Sequence, residues 1–188
     1  MGTHTVFFVG KPASGKGTQA ALLSKTTTWP VASMSAAMWE IAAAGDAVGR
    51  KMQETMDAGI LMPAWLASYV YLKSLFSVTE DGSIIFDGTS RTLPESETIL
   101  DSVKWLGRPF TIFHLNISDE EVRTRVALRR KIESRTDDRV VDKRLEEYYA
   151  NTEPAIAFYR DAGALIELDG ARPPEDIAAD VRRALGLT

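Results

Sequence analysis

A glycine-rich segment near the start of the chain is the strongest chemical signal in the sequence. Residues 10–19 read Gly-Lys-Pro-Ala-Ser-Gly-Lys-Gly-Thr-Gln and follow an apolar run at 5–9 that is typical of a buried strand. Small residues let successive backbone N–H groups face one anion, and the start of a following helix adds its partial positive charge. Gly10, Gly15 and Lys16 fit the phosphate-loop pattern G-x-x-x-x-G-K-[ST], in which the lysine reaches the outer phosphates. The segment therefore predicts a polyphosphate site.

An aspartate at the end of another apolar run supplies a candidate metal ligand. The run 83–87 has the pattern of a strand that ends in Asp87, and phosphate-loop enzymes place a carboxylate beside Mg²⁺ in this way. An aspartate at a strand end also commonly begins a turn. If Asp87 is considered without its neighbours, the turn is the favoured interpretation. Arg91 follows shortly afterwards, at the edge of the sheet where ligands of open α/β folds bind. Together the two residues favour Asp87 as a Mg²⁺ ligand.

Short apolar runs alternate with helical segments along the chain. The predicted strands are 5–9, 30–34, 83–87, 110–115 and 164–168. The predicted helices are approximately 16–26, 35–44, 46–58, 63–76, 94–105, 118–133, 140–160 and 174–185. Alternating β and α units predict a three-layer α/β fold, a parallel five-stranded sheet flanked by helices. We expect one domain over residues 1–188 with two excursions, at about 33–62 and about 125–139.

The composition excludes several kinds of site. The chain has 188 residues, of which 45% are hydrophobic and 26% charged, as in soluble globular proteins. It has no cysteine and only two histidines, which excludes thiolate metal sites and argues against a histidine-rich metal centre. The net charge of −4 argues against nucleic acid as a general partner. No run approaches a membrane span and the first residues lack a basic leader, so we expect a cytoplasmic protein without membrane contacts. The lack of an obvious apolar surface stripe predicts a monomer.

The stretch 123–144 is strongly basic although the chain as a whole is acidic. A solvated helix face with i,i+4 ion pairs is the simpler explanation for such a stretch. Most of its cations are arginines, however, and arginine binds phosphate oxygens in a bidentate manner. In a chain that also carries a phosphate loop, this composition favours a polyphosphate clamp.

Taken together, these motifs resemble the adenylate kinase family, in the variety with a short lid. The loop carries Gly17 where the general pattern has Ser or Thr, and Gly-Lys-Gly-Thr is the form found in that family. Asp87-Gly88-x-x-Arg91-Thr92 is similar to its Asp-Gly-Phe-Pro-Arg-Thr. Further matches follow the order of the family: Asp57-Ala58-Gly59, Arg125-x-x-x-Arg129, Arg135-x-Asp137-Asp138, Lys143-Arg144-Leu145, Thr152-Glu153-Pro154 and Asp169-Gly170-Ala171-Arg172-Pro173. The resemblance covers nearly the whole chain, and it implies that the excursion at about 33–62 is the lobe that binds the nucleoside monophosphate and that the one at about 125–139 is the short lid. It implies reversible phosphoryl transfer from ATP–Mg²⁺ to a nucleoside monophosphate, with AMP as the default acceptor.

The resemblance also implies a role for each matched residue. The implied ATP-binding set is Ala13, Ser14, Gly15, Lys16, Gly17, Thr18, Arg125, Arg129 and Arg172. The implied acceptor-binding set is Gly88, Arg91, Glu95, Arg135 and Arg144. The implied catalytic cations are Lys16, Arg91, Arg129, Arg135 and Arg144, and Asp87 is expected to hold Mg²⁺ through water. Only five residues separate Arg129 from Arg135, which is too few for the zinc-bearing form of the lid, so we expect no structural zinc.

The departures from the family pattern cluster on the acceptor side. Met34 and Trp39 stand where the family has a Thr near the acceptor base and an Arg on its phosphate. Thr89-Ser90 replaces Phe-Pro, and Glu95 replaces the Gln that reads the edge of adenine. A carboxylate only accepts hydrogen bonds, which suits the adjacent donors of guanine better than the mixed edge of adenine.

Several interpretations of the acceptor side stay open at this point. One is slower AMP phosphorylation with Glu95 facing solvent, and another is a changed acceptor base such as a guanine nucleotide. A third is a nucleotide-binding sensor with little turnover, and a fourth is a small acceptor that is not a nucleotide. Trp39 either packs within the acceptor lobe, which is the favoured interpretation, or stacks on a base.

Overall fold

The predicted strands form a parallel sheet. The computed structural model describes residues 2–130 and 140–187, so Arg135 and the rest of 131–139 in the predicted lid lie outside the described residues. The strands are β1 (Thr5–Gly10), β2 (Val31–Ser33), β3 (Ile84–Asp87), β4 (Phe110–Asn116) and β5 (Leu165–Asp169). Their order across the sheet is β2-β3-β1-β4-β5, and each neighbouring pair is parallel. The predicted fold class is confirmed.

Strand β1 forms the centre of the sheet because it pairs with β3 on one side and with β4 on the other. In this register Phe8 lies beside Asp87, and Gly10 lies beside Leu115. The strand is buried through Val9, as expected where helices cover both faces of a parallel sheet. The register brings the segments that follow Gly10 and Asp87 to the same edge of the sheet.

Helices flank this sheet at nearly the predicted positions. The described helices are α1 (Lys16–Thr27), α2 (Met34–Ala42), α3 (Ala47–Asp57), α4 (Ala64–Phe76), α5 (Leu93–Trp105), α6 (Asp119–Arg130), α7 (Val141–Glu147), α8 (Glu153–Asp161) and α9 (Pro174–Ala184). Local signals explain several of their starts. The Asp46 carboxylate accepts a hydrogen bond from the Gly49 N–H at 2.7 Å and caps α3, and Pro174 begins α9.

The prediction of one unbroken helix over 140–160 is wrong. A π-helical turn over Tyr148–Thr152 separates α7 from α8. Pro154 explains the break, because proline has no N–H to donate to the carbonyl four residues earlier and its ring clashes with that carbonyl. The wider π turn accommodates the missing bond. It also directs Tyr148 and Thr152 into the interior, where both are buried.

Alternate residues of the central strands point to opposite faces of the sheet, and each face has its own core. On one face, Phe7 stacks on Phe86 with ring centroids 5.0 Å apart, and Tyr71 of α4 packs against both rings. On the other face, Phe8 stacks on Phe113 with centroids 5.6 Å apart, beneath α1 and α9. The two cores hold the carboxyl ends of the central strands in a fixed position.

Helices α2 and α3, with the start of α4, form a small lobe that has its own apolar core. The core consists of Ala42, Met52, Met62, Leu66 and Ala67. Helices α2 and α3 lie within the excursion predicted at 33–62, and the core of the lobe extends beyond it to Leu66 and Ala67 of α4. The role of the lobe in binding the acceptor stays a prediction at this point.

Helix α4 exposes aromatic side chains on the surface. Trp65, Tyr69 and Phe76 are 70%, 56% and 66% exposed and recur at helical spacing. The premise of the monomer prediction, the lack of an apolar stripe, is therefore wrong, and the monomeric state stays a prediction. In the described ranges of the chain, no helix is both long and apolar enough to cross a bilayer.

Candidate active site

The segment between β1 and α1 folds into a loop that requires small residues. Gly10 has a φ of 139° and Gly15 a φ of 98°, which are conformations that favour glycine. A Cβ atom on residue 10 would lie 2.5 Å from the Leu115 carbonyl oxygen. Helix α1 begins directly after Gly15 without a side-chain cap, so the N–H groups of its first turn are available to a ligand. The predicted residues Ala13 and Ser14 lie in this loop, and Gly17 and Thr18 lie in that first turn.

Lys16 folds back onto the loop. Its Nζ donates hydrogen bonds to the carbonyl oxygens of Gly10 at 2.9 Å and Lys11 at 2.6 Å. Burial is the largest cause of a lowered pKa of Lys16, which falls to about 7. The Asp87 carboxylate opposes this shift, whereas three surrounding cations add to it: Arg91, Arg144 and Arg129. The predicted cations therefore converge electrostatically on Lys16, and a polyanion bound among them would restore the charge of its ammonium.

Two cavities meet beside Lys16. The phosphate cavity is lined by Gly10, Lys16 and the π-helical turn, and the lobe cavity is lined by residues of α2, α3 and α4. Gly88, Arg91 and Arg144 line both cavities. The Nε of Arg91 donates to the Gly88 carbonyl at 3.1 Å, while its terminal nitrogens have no hydrogen-bond partner among the described residues. The junction thus presents positive charge to both cavities.

Asp87 lies beside the first turn of α1, and its position explains why the loop has Gly17 where the general pattern has Ser or Thr. A Cβ atom on residue 17 would lie 3.1 Å from Asp87 Oδ2, so a serine or threonine there would crowd the carboxylate. Within residues 2–130 and 140–187 no group of three or more His, Cys, Asp or Glu side chains could hold a metal ion. Mg²⁺ bound to nucleotides commonly uses one or two carboxylates together with waters and substrate phosphates. A single carboxylate beside a phosphate loop fits that mode of binding.

Apolar and sulfur-containing side chains dominate the lobe cavity. Its methionines are Met34, Met38, Met56 and Met62. Trp39 also lines this cavity and is 37% exposed, so it does not fill the core of the lobe. Methionine adapts to irregular shapes, and tryptophan offers a flat face to an aromatic ring. The lobe cavity is therefore suited to a nucleobase.

Glu95 lies at the start of α5 and is only 5% exposed, so the hypothesis that it faces solvent is wrong. Its Oε1 accepts a hydrogen bond from the Thr92 hydroxyl at 2.8 Å, and its Oε2 accepts one from the Arg91 backbone N–H at 3.2 Å. These two hydrogen bonds fix the turn that leads into α5. Burial raises the pKa of Glu95, although these two hydrogen bonds oppose the shift. Glu95 thus holds the segment before α5 and lines the lobe cavity at the same time.

Two further arginines of the predicted ATP-binding set are engaged with protein groups. Arg125 donates to the Glu121 carboxylate at 2.6 Å and to the Gly170 carbonyl at 2.8 Å, so it ties the last loop to α6 beside the phosphate loop. Arg172 is exposed and pairs with Asp180 at 2.5 Å. Arg129 lies in the last turn of α6.

Lys11 is absent from the predicted site, although it lies within the loop. Its Nζ pairs with Asp119 Oδ1 at 2.6 Å, and the Tyr149 hydroxyl donates to the same oxygen at 2.7 Å. The ammonium also lies 5.1 Å from the centroid of the Tyr149 ring. These contacts tie the phosphate loop to α6 and the π-helical turn. A second lysine in the loop is the signal in the sequence, but its partner is 108 residues away.

Thr89 carries a buried hydroxyl at the junction of the cavities. The residue lines both cavities, and its Oγ1 has no hydrogen-bond partner in the described part of the chain. A buried hydroxyl without a partner destabilises the folded state.

We predict that Thr89→Val stabilises the free protein. Valine keeps the shape and removes the unpaired hydroxyl, so the free energy of unfolding rises by about 1 kcal/mol and Tm by about 2–4 °C. Thr5→Val is the matched control, because the buried Thr5 hydroxyl accepts a hydrogen bond from Arg108 at 3.1 Å and its loss lowers Tm. Thermal unfolding followed by circular dichroism measures both. A fall in Tm for Thr89→Val would show that its hydroxyl is satisfied.

Comparisons with known proteins find relatives over nearly the whole chain. The family model described as "Adenylate kinase" matches residues 8–164. The chain is 31% identical over 187 residues to the adenylate kinase of Thermus thermophilus, with 98% of each chain covered. It is 31% identical over 183 residues to the adenylate kinase of Thermobifida fusca, covering 96% of this chain and 97% of that one. It is 32% identical over 181 residues to that of Xanthomonas oryzae pv. oryzae, covering 95% and 97%. The chain belongs to the adenylate kinase family.

Proposed function

We propose that this protein catalyses reversible phosphoryl transfer from ATP to AMP, which yields two molecules of ADP. The observation that carries the proposal is the junction of the two cavities, where Arg91 and Arg144 line both. One cavity contains the phosphate loop and Lys16, and the other offers an apolar surface to a nucleobase. Cations shared by both cavities are placed to hold a phosphoryl group that passes between two nucleotides. The relatives named adenylate kinase support AMP as the acceptor.

The reaction depends on positioning and charge, since phosphoryl transfer needs little covalent assistance. The N–H groups of the loop and Lys16 hold the outer phosphates of ATP. Charge spreads over the equatorial oxygens of the transferred phosphoryl group. It is stabilised by Arg91, Arg129 and Arg144, and also by Arg135, which lies outside the described residues. An arginine in this role raises the rate by about 10³-fold or more. Asp87 would hold Mg²⁺ through water, and that ion neutralises phosphate charge.

Two further segments complete the proposed two-substrate site. We assign the lobe at about 33–62 to the acceptor and the segment at about 125–139 to a lid, within one kinase domain over 1–188. Closure of a lid over the junction would exclude water and so limit hydrolysis of ATP. Arg125 and Arg172 are proposed to border the ATP site. We further propose that the enzyme acts in the cytoplasm as a monomer whose partners are small nucleotides, with no nucleic acid or membrane partner.

The acceptor phosphate is held by fewer cations than the family pattern provides. Trp39 lies in the lobe cavity in place of an arginine, and a charge-assisted hydrogen bond to phosphate contributes about 1.5–3 kcal/mol. Among the described residues, Arg91 and Arg144 are the arginines that line the lobe cavity. We therefore expect binding of AMP, more than binding of ATP, to limit the reaction at low substrate concentration.

Steady-state kinetics with a panel of nucleoside monophosphates tests the proposed function. With ATP and Mg²⁺, AMP is expected to give a kcat/KM about tenfold or more above GMP, CMP, UMP and the deoxynucleotides. A higher value for GMP would instead support a changed acceptor base. Binding of ATP without turnover of any acceptor would support a sensor.

A pair of arginine variants ties the activity to the junction. Arg91→Met is expected to lower kcat by about 10³-fold. Arg183→Met removes an exposed arginine of α9 that pairs with Asp180, and it is expected to leave kcat unchanged. Equal activity of the two variants contradicts the role of Arg91.

Binding of ATP is predicted to take up a proton at Lys16. The pKa of Lys16 is about 7 in the free protein, and phosphate anions raise it. At about pH 8 the free amine is mostly neutral, so binding takes up about one proton, whereas at about pH 6 the amine is already charged and uptake is small. Calorimetry in buffers of different ionisation enthalpy measures this difference. Lys16→Arg is the matched control, since a guanidinium stays charged throughout. Equal proton uptake by the variant and the natural protein at pH 8 would exclude Lys16 as its source.

A further inference from the structure

We propose that Thr152 and Tyr159 are positioning residues, which hold the backbone of Ser90 and Arg91 so that the Arg91 side chain stays at the junction of the two cavities. The role of Arg91 in phosphoryl transfer rests on the proposed function. The hydrogen bonds that hold Arg91 are independent of it.

Both backbone polar groups of Arg91 are bound by side chains. The Thr152 hydroxyl, at the end of the π-helical turn, donates to the Arg91 carbonyl at 2.9 Å. The Arg91 N–H donates to Glu95, and the Nε donates to the Gly88 carbonyl. Three hydrogen bonds therefore fix Arg91, two at its main chain and one at its Nε. Its terminal nitrogens are left to face the cavities.

Ser90, the residue before Arg91, is held in a conformation that is unfavourable for a side chain. Its φ is 58°, in the left-handed region, which costs about 1–2 kcal/mol for a residue other than glycine. Its Oγ lies 2.6 Å from the Tyr159 Oη in a buried hydrogen bond, and Tyr159 also donates to the Ser96 carbonyl at 3.4 Å. Burial raises the pKa of Tyr159 to about 12, so its hydroxyl keeps the proton. Such strain persists where surrounding contacts impose it, and it is found most often at functional sites.

One continuous stretch of chain carries these hydroxyls and a second arginine. Arg144 lies in α7, Thr152 ends the π-helical turn that follows, and Tyr159 lies in α8. The π-helical turn caused by Pro154 directs Thr152 inward, toward Arg91. The same stretch thus places Arg144 at the junction and fixes Arg91 beside it. This arrangement gives the break in the helix a function in the site.

Thr152→Val and Thr152→Ser separate the hydroxyl from the packing. Valine keeps the shape and removes the donor, so kcat is expected to fall about ten- to a hundredfold, as for a small displacement of a catalytic group. KM for ATP is expected to change by less than about twofold, because valine keeps the shape of this wall of the phosphate cavity and the lost hydrogen bond goes to the Arg91 carbonyl, not to the phosphate loop. Thr152→Ser keeps the donor and is expected to restore kcat to within about twofold.

Variants of the second hydrogen bond test the same idea independently. Ser90→Ala and Tyr159→Phe remove opposite ends of one bond, so the double variant is expected to be no slower than the slower single variant. Ser102→Ala is the matched control, because it removes a different hydrogen bond between two hydroxyl groups, that of Ser102 with Tyr71, whose oxygens are 2.9 Å apart. This control lowers Tm without lowering kcat. A purely structural role for Thr152 and Tyr159 predicts that their variants also lower Tm and leave kcat unchanged.

A spectroscopic readout keeps the inference testable without turnover. The Nε–H signal of Arg91 in ¹⁵N spectra is assigned by its loss in Arg91→Lys. Its exchange with water is expected to speed up about tenfold in Thr152→Val and to stay unchanged in Thr152→Ser and Ser102→Ala. If the natural protein shows no turnover with AMP, the proposed function fails, and this exchange rate alone decides the inference. The inference is overturned if both Thr152→Val and Tyr159→Phe show the same kcat and the same exchange rate of the Arg91 Nε–H as the unsubstituted protein.

Discussion

The parallel pairing of β1 with β3 and β4 is the constraint on which the site depends. Because Phe8 lies beside Asp87 and Gly10 beside Leu115, the segments that follow β1 and β3 emerge at one edge of the sheet. The phosphate loop, the Asp87 carboxylate and the Arg91 segment are therefore close together although they are far apart in the chain. The aromatic stacks on both faces of the sheet keep that edge rigid. A rigid edge suits a reaction that depends on position.

The basic side chains at this edge are held in place before any ligand binds. Lys16 is bound to carbonyl oxygens of its own loop, and its lowered pKa shows that burial disfavours its charge. Arg91 is fixed through its backbone, and Lys11 is paired with Asp119. Preorganised cations lose little freedom when an anion arrives, and they stabilise charge more strongly than mobile ones. The folded protein thus supports the proposed reaction by the arrangement of charges that it already contains.

Local patterns predicted the strands, most helices and the phosphate loop, because hydrophobic period, glycine and proline act over a few residues. The position of Asp87 and Arg91 followed from the rule that ligands gather at the carboxyl edge of a parallel sheet. The contacts that hold these residues were not predictable in this way. Thr152 reaches Arg91 across 61 residues, and Lys11 reaches Asp119 across 108. Glu95 is buried because of how α5 packs, which the sequence around it does not reveal. The break at Pro154 was visible as a residue, but the π turn depends on the tertiary contacts on either side.

The central claim is that two nucleotide sites share one set of cations. Calorimetric titration with an analogue that joins ATP to AMP through a polyphosphate bridge tests it most directly. If both cavities are occupied at once, the second site binds at a high effective concentration, and Kd is expected to be about 10²–10³-fold below that of ATP alone. A Kd equal to that of ATP would contradict the claim, because it would mean that only the phosphate loop binds a nucleotide.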